Sequence, residues 1–196
     1  VSDAFGFCMD LGGTWYVLTF PTENETWCFN TVTSRWHQWS SYPYAGTHGR
    51  HRANCYCYHA GKHLIGDFEN GSIYRVDIDA YTDYENSIRS QVVFPPIAKD
   101  GRWIYHNRLE LEIKNGVGLA TGQGDDPQIM LDWSDTAQRE WSNEHWRSMG
   151  KIGEYSKIIT WHNLGRAKTR QYRATITDPV EREISGLFLS HSVGGY

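Results

Sequence analysis

The chain has 196 residues, 39% hydrophobic and 14% aromatic, with a formal net charge of −4 and a pI near 6.1. That length accommodates one domain, or two small ones, with a buried core. The acidic balance excludes a general attraction to nucleic acid or acidic membrane, and no apolar run reaches the length of a membrane-spanning helix. Aromatics are plentiful relative to long aliphatics, which favours strands. The 19 glycines recur at short intervals, as the turns of an all-β domain require. The expected fold class is therefore all-β.

The opening segment, Val1 to Cys8, is strand-like and has no initiator Met, as expected of a piece of a longer protein. Trp15 to Phe20, Thr26 to Phe29 and Trp36 to Ser40 then form a three-strand meander. Ala53 to Tyr58, His63 to Phe68 and Ser72 to Asp77 repeat the plan. Their second hairpin closes at Asn70-Gly71, a pair that tolerates positive φ. Repeated short meanders with aromatics near the strand ends are the pattern of propeller blades. A further strand is expected at Ile88 to Phe94, and Pro95-Pro96 marks the expected domain boundary. Residues 1–98 are thus read as propeller-type antiparallel meanders, and residues 99–196 as a second antiparallel β-unit, sandwich-like or made of further blades.

In that second half Arg108 to Lys114 alternates cleanly, with Leu109, Leu111 and Ile113 inward, and the glycines from Gly116 to Gly124 make a loop. Gln128 to Trp133 has the period of a half-buried strand, with Ile129, Leu131 and Trp133 on one face. Trp133, Trp141 and Trp146 crowd a short span, and a shared core is the favoured reading over a recognition surface. One helical turn is admitted at Asn143 to Met149. Lys157 to Trp161, Thr169 to Ile176 and Ile184 to Leu189 complete the strands.

Three kinds of chemistry are weighed. His48, His51, Cys55, Cys57, His59 and His63 are zinc-type ligands, but successive strand positions splay their side chains and no CxxC pair pinches an ion. The four cysteines, Cys8, Cys28, Cys55 and Cys57, are expected to be reduced and buried, and no metal is expected. Ser134 to Trp141 resembles the Asp-box turn of sialidases, with Thr136 in place of the Asp and Gln138 in place of the Gly. A glycosidase needs two carboxylates facing each other across a cleft, whereas Asp67 with Glu69, or Glu110 with Glu112, sit on single strand faces. The basic run from Lys151 to Arg182 includes Arg166, Lys168, Arg170 and Arg173, interleaved with Trp161 and Tyr172, which could stack on bases. A solvated strand face or a subunit contact accounts for it more simply. No catalytic, cofactor-binding or metal-binding residue is assigned, and no enzyme is expected.

Several strings carry a family likeness. Tyr16-Val-Leu-Thr-Phe-Pro21, Gly49 to Cys55, Gly61 to Asp67, Asn70 to Tyr74 and Gly122 to Pro127 contribute to it. So do Leu131-Asp-Trp-Ser-Asp135, Trp141-Ser-Asn-Glu-His-Trp146, Met149 to Tyr155, Leu164 to Ala167 and Thr177 to Val180. Together they make the chain resemble the packaged-DNA stabilization proteins, or tail hubs, of short-tailed bacteriophages. The resemblance implies a structural protein of the virion tail, assembled in the bacterial cytoplasm, of which this chain would be the C-terminal half. It further implies a homo-oligomeric ring, a hexamer, contacting the portal and head-to-tail adaptor, the tail needle or plug, and tailspikes. Thr136 to Arg139 departs from the family's usual Asp-Gly-Gly turn, so that turn is expected to be reshaped. The competing expectation is a carbohydrate-binding or glycoside-hydrolysing propeller.

Overall fold

The structure, a computed structural model, describes residues 2–41, 49–84 and 86–194. Among them only strands, turns and loops occur, with no helix, so the chain is all-β. It divides into two compact units, Val1–Ile88 and Arg89–Tyr196.

In the first unit β1 (Phe5–Asp10), β2 (Thr14–Phe20), β3 (Glu25–Asn30) and β4 (Arg35–Trp39) form an antiparallel meander in chain order. Register sets Val17 opposite Cys28, and these two bury with Met9 under Phe7, Trp15, Trp39 and Tyr56. Two buried hydroxyls on that sheet, Thr19 and Thr26, satisfy each other at 3.1 Å. A second meander follows in β5 (Ala53–His59), β6 (Lys62–Asp67) and β7 (Ile73–Val76), then a small ladder of β8 (Thr82–Asp83) with β9 (Asn86–Ser87). Arg52 anchors this end, bonding the buried Asp67 at 3.0 Å and Asp83 at 2.7 Å. Both expected meanders are present, the first with β1 added. Neither sheet closes on itself among the described residues. The expectation of buried thiols holds for Cys28 alone. Cys8, Cys55 and Cys57 are exposed, because the alternation of β1 and β5 turns those positions outward, and all four are free.

The second unit contains β10 (Ser90–Val93), β11 (Ile97–Ala98), β12 (Ile104–Ile113), β13 (Gln128–Ser134), β14 (His145–Ser148), β15 (Ile159–His162), β16 (Arg166–Ala167), β17 (Thr169–Ile176) and β18 (Ile184–Val193). One sheet runs β10-β17-β13-β14, with β11 also on β17; in the other, β12 is flanked by β18 on one side and by β15 and β16 on the other. Leu109, Leu111, Ile113, Ile159 and Trp161 of one sheet share a core with Ile129, Leu131, Tyr172, Ala174 and Ile176 of the other. Two sheets burying their inner faces against each other make a sandwich.

Four local expectations change. The units divide at Ile88/Arg89, ahead of Pro95-Pro96, because β10 and β11 on either side of the prolines both pair with β17. The prolines only make a jog along a sheet edge, where a missing N–H costs nothing. The helical turn admitted at Asn143 to Met149 is instead strand β14, with Trp146 opposite Met130. β13 is covered on both faces, since Met130, Asp132 and Ser134 are buried as well as Ile129 and Leu131. Finally, β12 begins at Ile104: between His106 and Arg108 its pairing with β18 skips a residue, a bulge that reverses which positions face inward.

Candidate functional site: an arginine and aromatic surface

The polar residues of the second unit are organised around β13 and β17. Asp132 and Arg173 lie directly opposite in the ladder, and the guanidinium Nε donates to both carboxylate oxygens at 2.9 and 3.1 Å. Trp141 covers that guanidinium, 3.9 Å from its ring centroid. Just past the end of β13, Asp135 receives Arg170 in a two-point fork, at 2.6 Å from Nε and 2.7 Å from Nη2, while Nη1 donates to the Leu164 carbonyl. Arg170 also lies 5.0 Å from the Trp133 ring centroid, and Trp133 stacks on His145 at 4.7 Å. Behind them the Tyr172 hydroxyl meets His106 Nδ1 at 2.7 Å. Burial pushes the Tyr172 phenol up to about 12, against the pull of Arg170. Burial, helped by the Arg170 charge, pushes His106 down to about 4.

This network is built to hold. Both carboxylates are engaged by guanidinium groups, so neither is free to take a substrate proton, and the buried imidazole is neutral. The Asp-box-like turn has the same character. Ser134 Oγ accepts the N–H groups of Thr136 and Gln138 at 3.2 and 2.9 Å, and Thr136 Oγ1 accepts that of Glu140 at 3.0 Å. Ala137 and Gln138 both take positive φ, 54° and 69°, and the turn is closed by the Ser134 and Thr136 hydroxyls. Ser134→Ala is expected to destabilise the unit by ~1 kcal/mol, because two turn N–H groups lose their shared, enclosed acceptor; urea unfolding of the variant measures it.

Of the three indoles expected in a shared core, Trp133 alone packs against the sandwich core. Trp133 is half-buried against Arg170 and Trp141 against Arg173, and Trp146 is 52% exposed. The fully buried tryptophan is Trp161, 1% exposed, whose Nε1 donates to the His145 carbonyl at 3.0 Å. In the basic run Arg170 is buried and Arg173 is ion-paired, whereas Arg166 and Lys168 are exposed. These two lie over Trp103, at 4.8 and 5.6 Å. Trp103 and Tyr105 are the surface residues that sequence reasoning passed over; their period-two spacing at the head of β12 was the available signal. Asp67 is buried against Arg52 while Glu69 is exposed, and Glu110 bonds Arg108 at 2.7 Å on an outer sheet face beside Glu112. His51, Cys55, Cys57, His59 and His63 belong to no group of three or more converging metal-ligand residues among those described. His48 lies outside the described residues. His51 is held neutral, pushed down to about 4 by burial, and its Nδ1 accepts the Ala53 N–H at 3.2 Å.

The second unit is a strand-built sandwich whose two enclosed ion pairs are satisfied within it and whose surface carries exposed aromatics. A family model described as "Bacteriophage P22 Gp10, beta-sandwich" matches residues 89–192, which is the second unit almost end to end. The chain belongs to the bacteriophage P22 Gp10 β-sandwich family. Membership makes it a tail-related structural protein of a bacteriophage, located in the virion. No curated protein matches the chain.

Proposed function

We propose that the protein is a subunit of a phage tail hub. Copies of it form a homo-oligomeric ring, a hexamer by family likeness, that joins the portal and head-to-tail adaptor to the tail needle, with tailspikes alongside. Assembled in the host cytoplasm, that ring closes and stabilises the DNA-filled head. It works by protein–protein contact, makes or breaks no bond, and reads no DNA sequence. The meanders of the first unit act in it as propeller-type blades.

The observation that carries this reading is the family match over the whole sandwich. It is supported by a surface rich in Trp, Tyr and Arg, the residue types that anchor protein interfaces. The test is the mass of the protein by light scattering, alone and with purified portal and adaptor. A discrete complex of defined stoichiometry is expected when the partners are present. A chain that stays monomeric and unbound with both would overturn the proposal.

A further inference from the structure

At one end of the β12 sheet, register sets Tyr105 beside Arg166 on one side and Ser192 on the other, all three exposed, while Ile104, Ala167 and Val193 alternate toward the core. Trp103, just before β12, and Lys168, in the bend just after β16, extend this surface. Trp103 is 41% exposed, both cations lie over its ring, and Arg166 also reaches the Tyr105 hydroxyl at 3.5 Å. Neither cation has a carboxylate partner among the described residues, although Arg52, Arg108, Arg170 and Arg173 all do. An indole already covered by cations is a poor platform for a stacked base, while the two cations held over it are donors suited to carboxylates.

The complementary surface is on the first unit, where acidic residues outnumber basic ones. Turns bring exposed apolar residues together there: a Cβ on Gly12 would meet Ile78 at 2.6 Å, and one on the adjacent Gly13 would meet Val32 at 3.4 Å. Val32 is 75% and Ile78 58% exposed. Asp10, two residues before Gly12, and Asp79, next to Ile78 in the chain, are exposed and have no ion-pair partner among the described residues. One chain therefore presents an aromatic and basic patch on its second unit and an apolar and acidic patch on its first.

We infer that the Trp103, Tyr105, Arg166 and Lys168 patch of one copy docks on the Val32, Ile78, Asp10 and Asp79 patch of the next. Such a contact joins two different surfaces of the same chain, the head-to-tail geometry that closes rings. The inference rests on the ring reading above and gives that ring its subunit interface.

Charge reversal on the full chain tests it, read as oligomer mass by analytical ultracentrifugation at moderate salt. Arg166→Glu with Lys168→Glu, and separately Asp10→Lys with Asp79→Lys, are each expected to weaken self-association about ten-fold or more. Circular dichroism should be unchanged, because all four side chains are exposed. Combining the four substitutions in one chain is expected to restore assembly. Normal assembly of either double variant, or no rescue by the quadruple variant, overturns this interface and leaves the ring standing. A wild-type chain that stays monomeric and unbound even with portal and adaptor present overturns both readings. Duplex DNA binding by fluorescence anisotropy is the control. If wild type binds DNA and the Arg166/Lys168 variant assembles normally but does not, the patch is a phosphate site and the inference fails.

Discussion

Asp135→Ala is expected to destabilise the second unit by ~3–5 kcal/mol, the cost of leaving a buried charge without its partner. The reason lies in the asymmetry of the pair: the Arg170 side chain is 4% exposed and that of Asp135 is 41% exposed. Removing the aspartate strands a guanidinium away from water, with the neutral Leu164 carbonyl and Tyr172 hydroxyl left as its partners. The Asp132 and Arg173 pair is asymmetric in the opposite sense. Asp132 is the enclosed member, so Arg173→Ala is the damaging truncation there, by a similar amount. The exposed Arg108 and Glu110 pair is the control, and Arg108→Ala should cost under ~1 kcal/mol. Urea unfolding of the three variants at neutral pH measures all of these. Equal costs at Asp135, Arg173 and Arg108 would show that enclosure does not govern these pairs.

Acidification is expected to remove about 3 kcal/mol from the second unit through His106 alone. In the unfolded chain this imidazole titrates near its ordinary 6.5, and in the fold it is pushed down to about 4. Between those values the unfolded state binds the proton and the native state does not. The contribution is therefore fully present above pH 6.5 and is lost as pH falls through about 4. The groups that face His106 are Tyr172, Arg170, Asp135 and His191; the Arg170 charge and His191 oppose its protonation and Asp135 favours it. Unfolding free energies from pH 7 to pH 4 should fall more steeply for wild type than for His106→Gln. The His106 ring signals in an NMR titration should stay neutral down to about pH 4. A midpoint near 6.5 would sink the assignment. His51 acts in the same direction in the first unit.

Local alternation was enough to read most of the strands. Thr14–Phe20, Lys62–Asp67 and Thr169–Ile176 each carry their period within a few residues, because side chains leave a strand on alternate sides whatever lies next to it. The family likeness in Leu131 to Asp135 and Trp141 to Trp146 was equally legible, since it is a matter of residue strings. The first half of β12 was not. The bulge at Asn107 exchanges inward and outward positions, so a single period runs only from Arg108 onward, and Trp103 and Tyr105 fell outside the pattern. β14 was missed because its four residues are extended by their partner β13, with no periodicity of their own.

What the sequence alone determined is the all-β class, the order of the meanders and the absence of a long helical pattern, because backbone preference and side-chain period are local properties. What only the tertiary structure decided is which charges and indoles are enclosed. Asp132 meets Arg173 and Asp135 meets Arg170 across β13 and β17, strands far apart in the chain. Trp161 is buried and Trp146 exposed although both stand in strands. Enclosure depends on what another part of the chain lays over a side chain, and that is settled only when the two sheets close on a common core.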